Sequence, residues 1–327
     1  MKKVSFLIAL TLWTFAGIAQ NQTTPSPSAF FNPQQPTAKR LSAVESTQVF
    51  TEVDLVQKAV QIVENKQEPK EIRVAALQRI VAELPQNDPL TDFSLRAIVD
   101  TQEPAELRLA VLEAVQANFF GAPARTFRRA AYTEAMQKNL SDPTEEIRSM
   151  SIRILCSLKD PFTIDRLLEG LQKEDLALLP PVEAIHLLSF QPDTRSQMVI
   201  HKLVMDSKDK KVKLEAIRML KQYQAAEPLF ASYLQNKEED LEVRRMAAAS
   251  LHHRHNKAFA TQIKSVIFDK QEDIGLRTFC LNALAHHSLD GLDNNYTSSL
   301  KSIANDHQQP KLKEKARKIL EQMGIQW

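Results

Sequence analysis

Glu68-Pro69-Lys70-Glu71-Ile72-Arg73-Val74-Ala75-Ala76-Leu77-Gln78-Arg79-Ile80 is the stretch whose order of residues recurs along the chain. An acidic or turn residue leads to an aliphatic, then to Arg or Lys, then to a small residue three positions on and an aliphatic seven positions on. About eight copies share that order, with the basic mark at Arg73, Arg108, Arg148, Pro181 (degenerate), Lys213, Arg244, Arg277 and Lys313. The marks are roughly 31 to 40 residues apart, a spacing at which one supersecondary unit repeats.

The position before the mark reads Ile72, Leu107, Ile147, Pro180, Val212, Val243, Leu276 and Leu312. Three residues after it stand Ala76, Val111, Ser151, Ala184, Ala216, Ala247, Cys280 and Ala316, and seven after it Ile80, Val115, Leu155, Leu188, Leu220, Leu251, Leu284 and Leu320. Together with a mostly aliphatic position at +4, these offsets trace one stripe of an α-helix. The alternation that strands require is absent. Each marked helix is preceded by another amphipathic segment, beginning with Glu52 to Glu64, and the intervening turns hold Pro69, Pro104 and Pro143. Proline suits a helix start, and the acidic residue before it favours the positive end of the helix dipole. Only six glycines in the chain fit a helical body with tight turns.

These residues resemble HEAT repeats, most closely the short bacterial HEAT-like type, over residues 51–327. The resemblance implies an all-α fold, an α-solenoid wound as a right-handed superhelix of about eight helix pairs. It also implies a scaffold or partner-binding surface, because the family serves mainly in those roles. Enzymes with such repeats include a di-iron hydroxylase built on paired His-Glu motifs, and no His-Glu dipeptide occurs in this chain. Bilin lyases share the repeats as well, but the expected export argues against that activity.

Export is expected from the N-terminus. Lys2 and Lys3 precede an apolar run from Val4 to Ala16, with small residues at Gly17 and Ala19. That pattern reads as a cleavable signal peptide, residues 1–19, with an uncleaved anchor as the rival. The destination is the periplasm of a Gram-negative bacterium or the outside, with no membrane span after cleavage. Residues 20–50, rich in Pro, Ser, Thr and Gln, read as a disordered tether, with Phe30-Phe31 as a docking peptide in the alternative. Removal of Lys2 and Lys3 from the 42 basic residues leaves 40 facing 40 acidic ones. A net charge near zero argues against nucleic acid as a partner.

The Arg column is paired in sequence with acidic residues a few positions earlier, among them Glu68, Glu103, Asp142, Asp209, Asp240 and Asp273. A ladder of charge-assisted bonds between neighbouring repeats accounts for both columns. Cys156 and Cys280 fall in the third and seventh copies, on the order of 40 Å apart if repeats stack roughly 10 Å apart, so two free thiols are expected.

Catalytic patterns are missing: no Gly-rich phosphate loop, no Gly-x-Ser-x-Gly elbow and no His-Glu-x-x-His. The chain is therefore expected not to be an enzyme and to need no cofactor. Its expected function is non-enzymatic binding of a partner peptide or helix along the concave face, by Val74, Leu109, Arg153, Val182, His186, Leu214 and Arg218. If the repeats rotate slightly, the apolar members of that strip are ordinary core. One alternative is a metal-binding envelope protein, because His252, His253, His255, His286 and His287 close the sixth and seventh marked helices. Counting from the marks, His253 and His286 share an offset and should be neighbours. A second alternative is an envelope enzyme whose site has no recognised motif.

Overall fold

A computed structural model of the chain describes residues 27–119 (apart from 46 and 48), 128–190, 193–253, 259–286 and 294–327. The expected signal peptide lies outside them. Every regular element among the described residues is helical. The chain divides into two compact units, one ending at Arg129 and one running from Ala130 to Trp327.

In the first unit a short helix α1 (Thr37–Ser42) precedes the pair α2 (Val53–Glu64) and α3 (Lys70–Arg79) and the pair α4 (Asp88–Val99) and α5 (Ala105–Phe119). Helix α3 packs between α1 and α5, and α2 lies against α4. The second unit continues with α6 (Arg129–Lys138) and α7 (Glu145–Ser157), α8 (Pro161–Gln172) and α9 (Pro181–Leu188), and α10 (Thr194–Asp206) and α11 (Lys210–Leu220). It ends with α12 (Glu227–Gln235) and α13 (Leu241–His253), α14 (Phe259–Phe268) and α15 (Ile274–Leu284), and α16 (Asn294–Ala304) and α17 (Pro310–Gln322). The marked helices α7, α9, α11, α13, α15 and α17 each rest on the next. Each unit is thus a two-layered α-solenoid of consecutive helix pairs.

The repeated columns explain this layering. All residues at +3 and +7 from the mark are at most 2 % exposed. Small side chains at +3 let neighbouring helices approach, and the aliphatic at +7 fills the interior, where truncation to Ala costs about 2–5 kcal/mol. Helix starts are fixed locally: the side chains of Asn87, Asp160, Asp193, Asp209 and Asp273 each accept a hydrogen bond from a backbone N–H in the turn that follows. Each such cap contributes about 1 kcal/mol.

Apart from Arg148, which donates to the Asp142 and Pro143 carbonyls of its own turn, the Arg column forms the expected ladder, with one addition that the sequence columns do not display. Five arginines donate Nε–H to the carbonyl ten residues earlier: Arg40 to Phe30, Arg73 to Val63, Arg108 to Ile98, Arg244 to Leu234 and Arg277 to Ile267. In the last four that carbonyl belongs to the penultimate residue of the first helix, so the second helix of each pair caps the first. The same guanidinium reaches the following repeat: Arg40 to Glu68, Arg73 to Glu103, Arg244 to Glu272 and Arg277 to Gln309. The paired acid is Glu272 rather than the expected Asp273, and Lys213 pairs with Glu239 rather than Asp240. Both expected aspartates sit one residue further on, and Asp273 is engaged as the N-cap of α15.

Arg40 corrects the reading of residues 20–50 as a disordered tether. Within the described part, Arg40, Phe30, Val44 and Phe50 are all buried. Phe30 meets Phe31 edge-on at 5.2 Å and Phe50 at 6.2 Å between ring centroids, while Arg79 donates to the Val44 carbonyl. The segment supplies a further ladder rung and covers the first helix pair. Its polar composition hid three aromatic anchors, and the Phe pair docks on its own chain.

The fourth copy departs from the pattern as its sequence announces. The other marked helices begin three residues before their mark, whereas α9 begins at Pro181 itself, with Pro180 as its N-cap. Pro180 is exposed and Leu179 is buried in its place. Cys156 and Cys280 are both buried and form no disulfide.

Candidate functional site

The strip expected to bind a partner divides by burial. Val74, Leu109 and Leu214 are half-buried, while Arg153, Val182, His186 and Arg218 are exposed. Arg153 and His186 face carboxylates of the next marked helix, while Arg218 pairs within its own. Arg153 Nη2 donates to Glu183 Oε1 at 3.0 Å, and Glu215 accepts Arg218 on one oxygen while the other lies 3.9 Å from His186 Nδ1. The His186 ring also meets Phe190 edge-on at 5.2 Å.

The ends of α13 and α15 bring imidazoles together. His252, half-buried on the last turn of α13, lies 6.4 Å between ring centroids from His286, which is exposed just beyond α15. The planes are inclined by 49°. His252 also meets the buried ring of Phe259, at 5.7 Å between centroids. The sequence offset paired His286 with His253, and the structure pairs it with His252 instead. His253, one residue on and about 100° round the helix, is exposed. His255 and His287 lie outside the described residues.

The donor chemistry fits a late first-row divalent ion. Two imidazoles bound to one ion at about 2.0–2.1 Å hold their centroids roughly 5.2 Å apart at a tetrahedral angle and roughly 6.4 Å apart when trans, so the observed spacing matches a trans pair and a tetrahedral ion would need the rings to close by about 1 Å. Cys280 on α15 is fully buried, and burial pushes its thiol up to about 12. Among the described residues no group of three or more His, Cys, Asp or Glu converges. The pair therefore leaves several coordination positions open to water or to another ligand.

No protein-family model and no curated protein matches this chain. Among solved structures it is similar to human deoxyhypusine hydroxylase in complex with glycerol, at 15 % identity and a TM-score of 0.33, over 90 % of this chain and 93 % of that one. The name is that of an enzyme, and it gives no support to two expectations: that the chain is a non-enzymatic scaffold, and that it is not an enzyme. Stacked helix pairs host either kind of function, which resides in sites placed on the fold. No residue or reaction is carried over from that protein to this one.

Proposed function

We propose that this chain is a metal-binding protein that holds a transition-metal ion between repeats six and seven through His252 and His286. The observation that supports it is their 6.4 Å approach across two helix pairs. Each His closes its own helix, so an ion held by both clips one repeat to the next. Neutral imidazole suits Zn²⁺, Ni²⁺ and Cu²⁺, and the open positions would allow a bound water or substrate to meet the ion. The repeats are read as HEAT-like on their Arg and Ala columns, and the chain as exported on the pattern of residues 1–19. No helix among the described residues is long and apolar enough to cross a membrane.

Calorimetric titration with Zn²⁺ and Ni²⁺ tests the proposal. One equivalent should bind to the protein, and His252→Gln or His286→Gln should weaken it at least tenfold. Unchanged binding in both variants would overturn the assignment. Export is tested by N-terminal sequencing of protein recovered from cell fractions, where a chain starting at Gln20 outside the cytoplasm is the expected result.

A further inference from the structure

The fourth copy lacks its ladder arginine, and a cavity of about 630 Å³ opens in the second unit where that copy diverges. Its position can be read from the intact rungs. In each of five rungs a guanidinium donates to the carbonyl ten residues before the arginine. Ten before Pro181 is Leu171, the penultimate residue of α8, and Leu171 lines the cavity. No hydrogen bond among the described residues reaches the Leu171 carbonyl. The acid of the next repeat lies 28 residues after the mark in the Arg40–Glu68 and Arg244–Glu272 rungs. Twenty-eight after Pro181 is Asp209, which also lines the cavity. Lys208 occupies the column that carries the acid in most copies, and the carboxylate stands one residue further on.

The rest of the lining suits a cation with an apolar stem. Glu145, Glu174 and Asp209 face one guanidinium, Arg148, so the charged lining carries a net −2. Arg148 is held by its own turn, with Nη1 donating to the Asp142 and Pro143 carbonyls at 2.6 and 3.2 Å. Leu179, Pro181 and Val212 supply apolar wall. The wall is built by a close approach: a Cβ on Gly170 would stand 2.8 Å from the Ala177 Cα, so only glycine lets the 174–179 segment fold over α8.

We propose that this cavity binds an alkylguanidinium ligand, whose guanidinium takes the place that arginine occupies in the regular repeats. The group donates to the Leu171 carbonyl and to Asp209, as Arg244 donates to Leu234 and Glu272. The chemistry is shared by a free alkylguanidine and by an arginine residue of a peptide, and two probes separate these sources.

The test is titration of the full chain, followed by NMR or calorimetry, with agmatine, with N-acetyl-arginine methylamide and with the neutral isostere N-acetyl-citrulline methylamide. At least one guanidinium probe should bind saturably and at least tenfold more tightly than the citrulline compound. Preference for agmatine marks the free ligand, and preference for the blocked arginine marks a peptide. Pro181→Arg should fill the place from within and abolish binding. The exposed pair Glu174→Gln and Asp209→Asn, which keeps a capping oxygen on α11, should weaken it should Pro181→Arg fail to fold. Equal response to the arginine and citrulline probes, no binding of either guanidinium, or unchanged binding in the variants would each overturn the proposal.

Discussion

Arg244 holds Glu272 of the next helix pair through both of its terminal nitrogens, while its Nε and Nη2 donate to the Leu234 carbonyl at 3.0 and 2.9 Å. One buried side chain therefore caps the helix beside it and ties two repeats together. Such a group is costly to bury unless it is fully paired, and removal of one partner of a buried pair costs about 3–5 kcal/mol.

The ladder makes stability sensitive to acid. The hydrogen bond from Arg244 holds the Glu272 carboxyl below its usual range against the effect of burial. Burial of Glu103 works to raise its carboxyl, and the bond and charge of Arg73 outweigh it, so that it too is lowered. A carboxyl depressed in the folded state contributes its stability above the unfolded value of about 4.3, and that contribution is lost as pH falls through the folded value. Chemical denaturation between pH 7 and pH 3 should show the midpoint falling below about pH 4.5. In Glu272→Gln the unfolding free energy at pH 7 should drop by about 1–3 kcal/mol and the acid limb should flatten.

Arg277 has a neutral partner, Gln309, at 3.0 Å, where Arg40, Arg73 and Arg244 have glutamate. Burial lowers its pKa, against the opposing charges of Asp269, Asp306 and Glu272. Gln309→Glu should stabilise the second unit by about 0.5–1.5 kcal/mol, the difference between a neutral and a charge-assisted bond. Thermal unfolding of the single variant checks it.

Residues 27–50 should behave as folded structure. Phe30→Ala removes a fully buried ring and should cost the first unit about 3–5 kcal/mol, and deletion of residues 20–50 should cost at least as much. Hydrogen exchange reads it directly: the Arg40 and Val44 amides should be protected in the intact chain, and α3 should lose protection in the deletion.

Both thiols are pushed up to about 12, chiefly by burial. Neither should react with an aromatic disulfide reagent in the folded protein, and two equivalents should appear on addition of denaturant.

Much of the fold was legible because a repeat states its rule many times over. Ile72, Ala76 and Ile80 recur at fixed offsets, and their equivalents occupy the same interior positions in later copies. Residues 27–50 were not legible: only Ala43 and Val44 at +3 and +4 follow Arg40 as the pattern asks, and Lys39 and Thr47 break it. The spacing of 33 residues from Arg40 to Arg73 was the available signal. The His edge was legible to within one residue, because a mark fixes helical register but not the lateral shift of one helix on the next, and that shift decides between His252 and His253. The cavity beside Pro181 could be seen only once the carbonyl at −10 was known, a partner that no side-chain column records.

Elemental analysis of protein purified from its own cells, without an affinity tag and without chelator, tests the metal assignment most directly. The expected result is close to one equivalent of zinc, nickel or copper per chain, lost when His252 and His286 are both replaced by glutamine. A metal-free wild-type protein, or metal retained in full by the double variant, would contradict it.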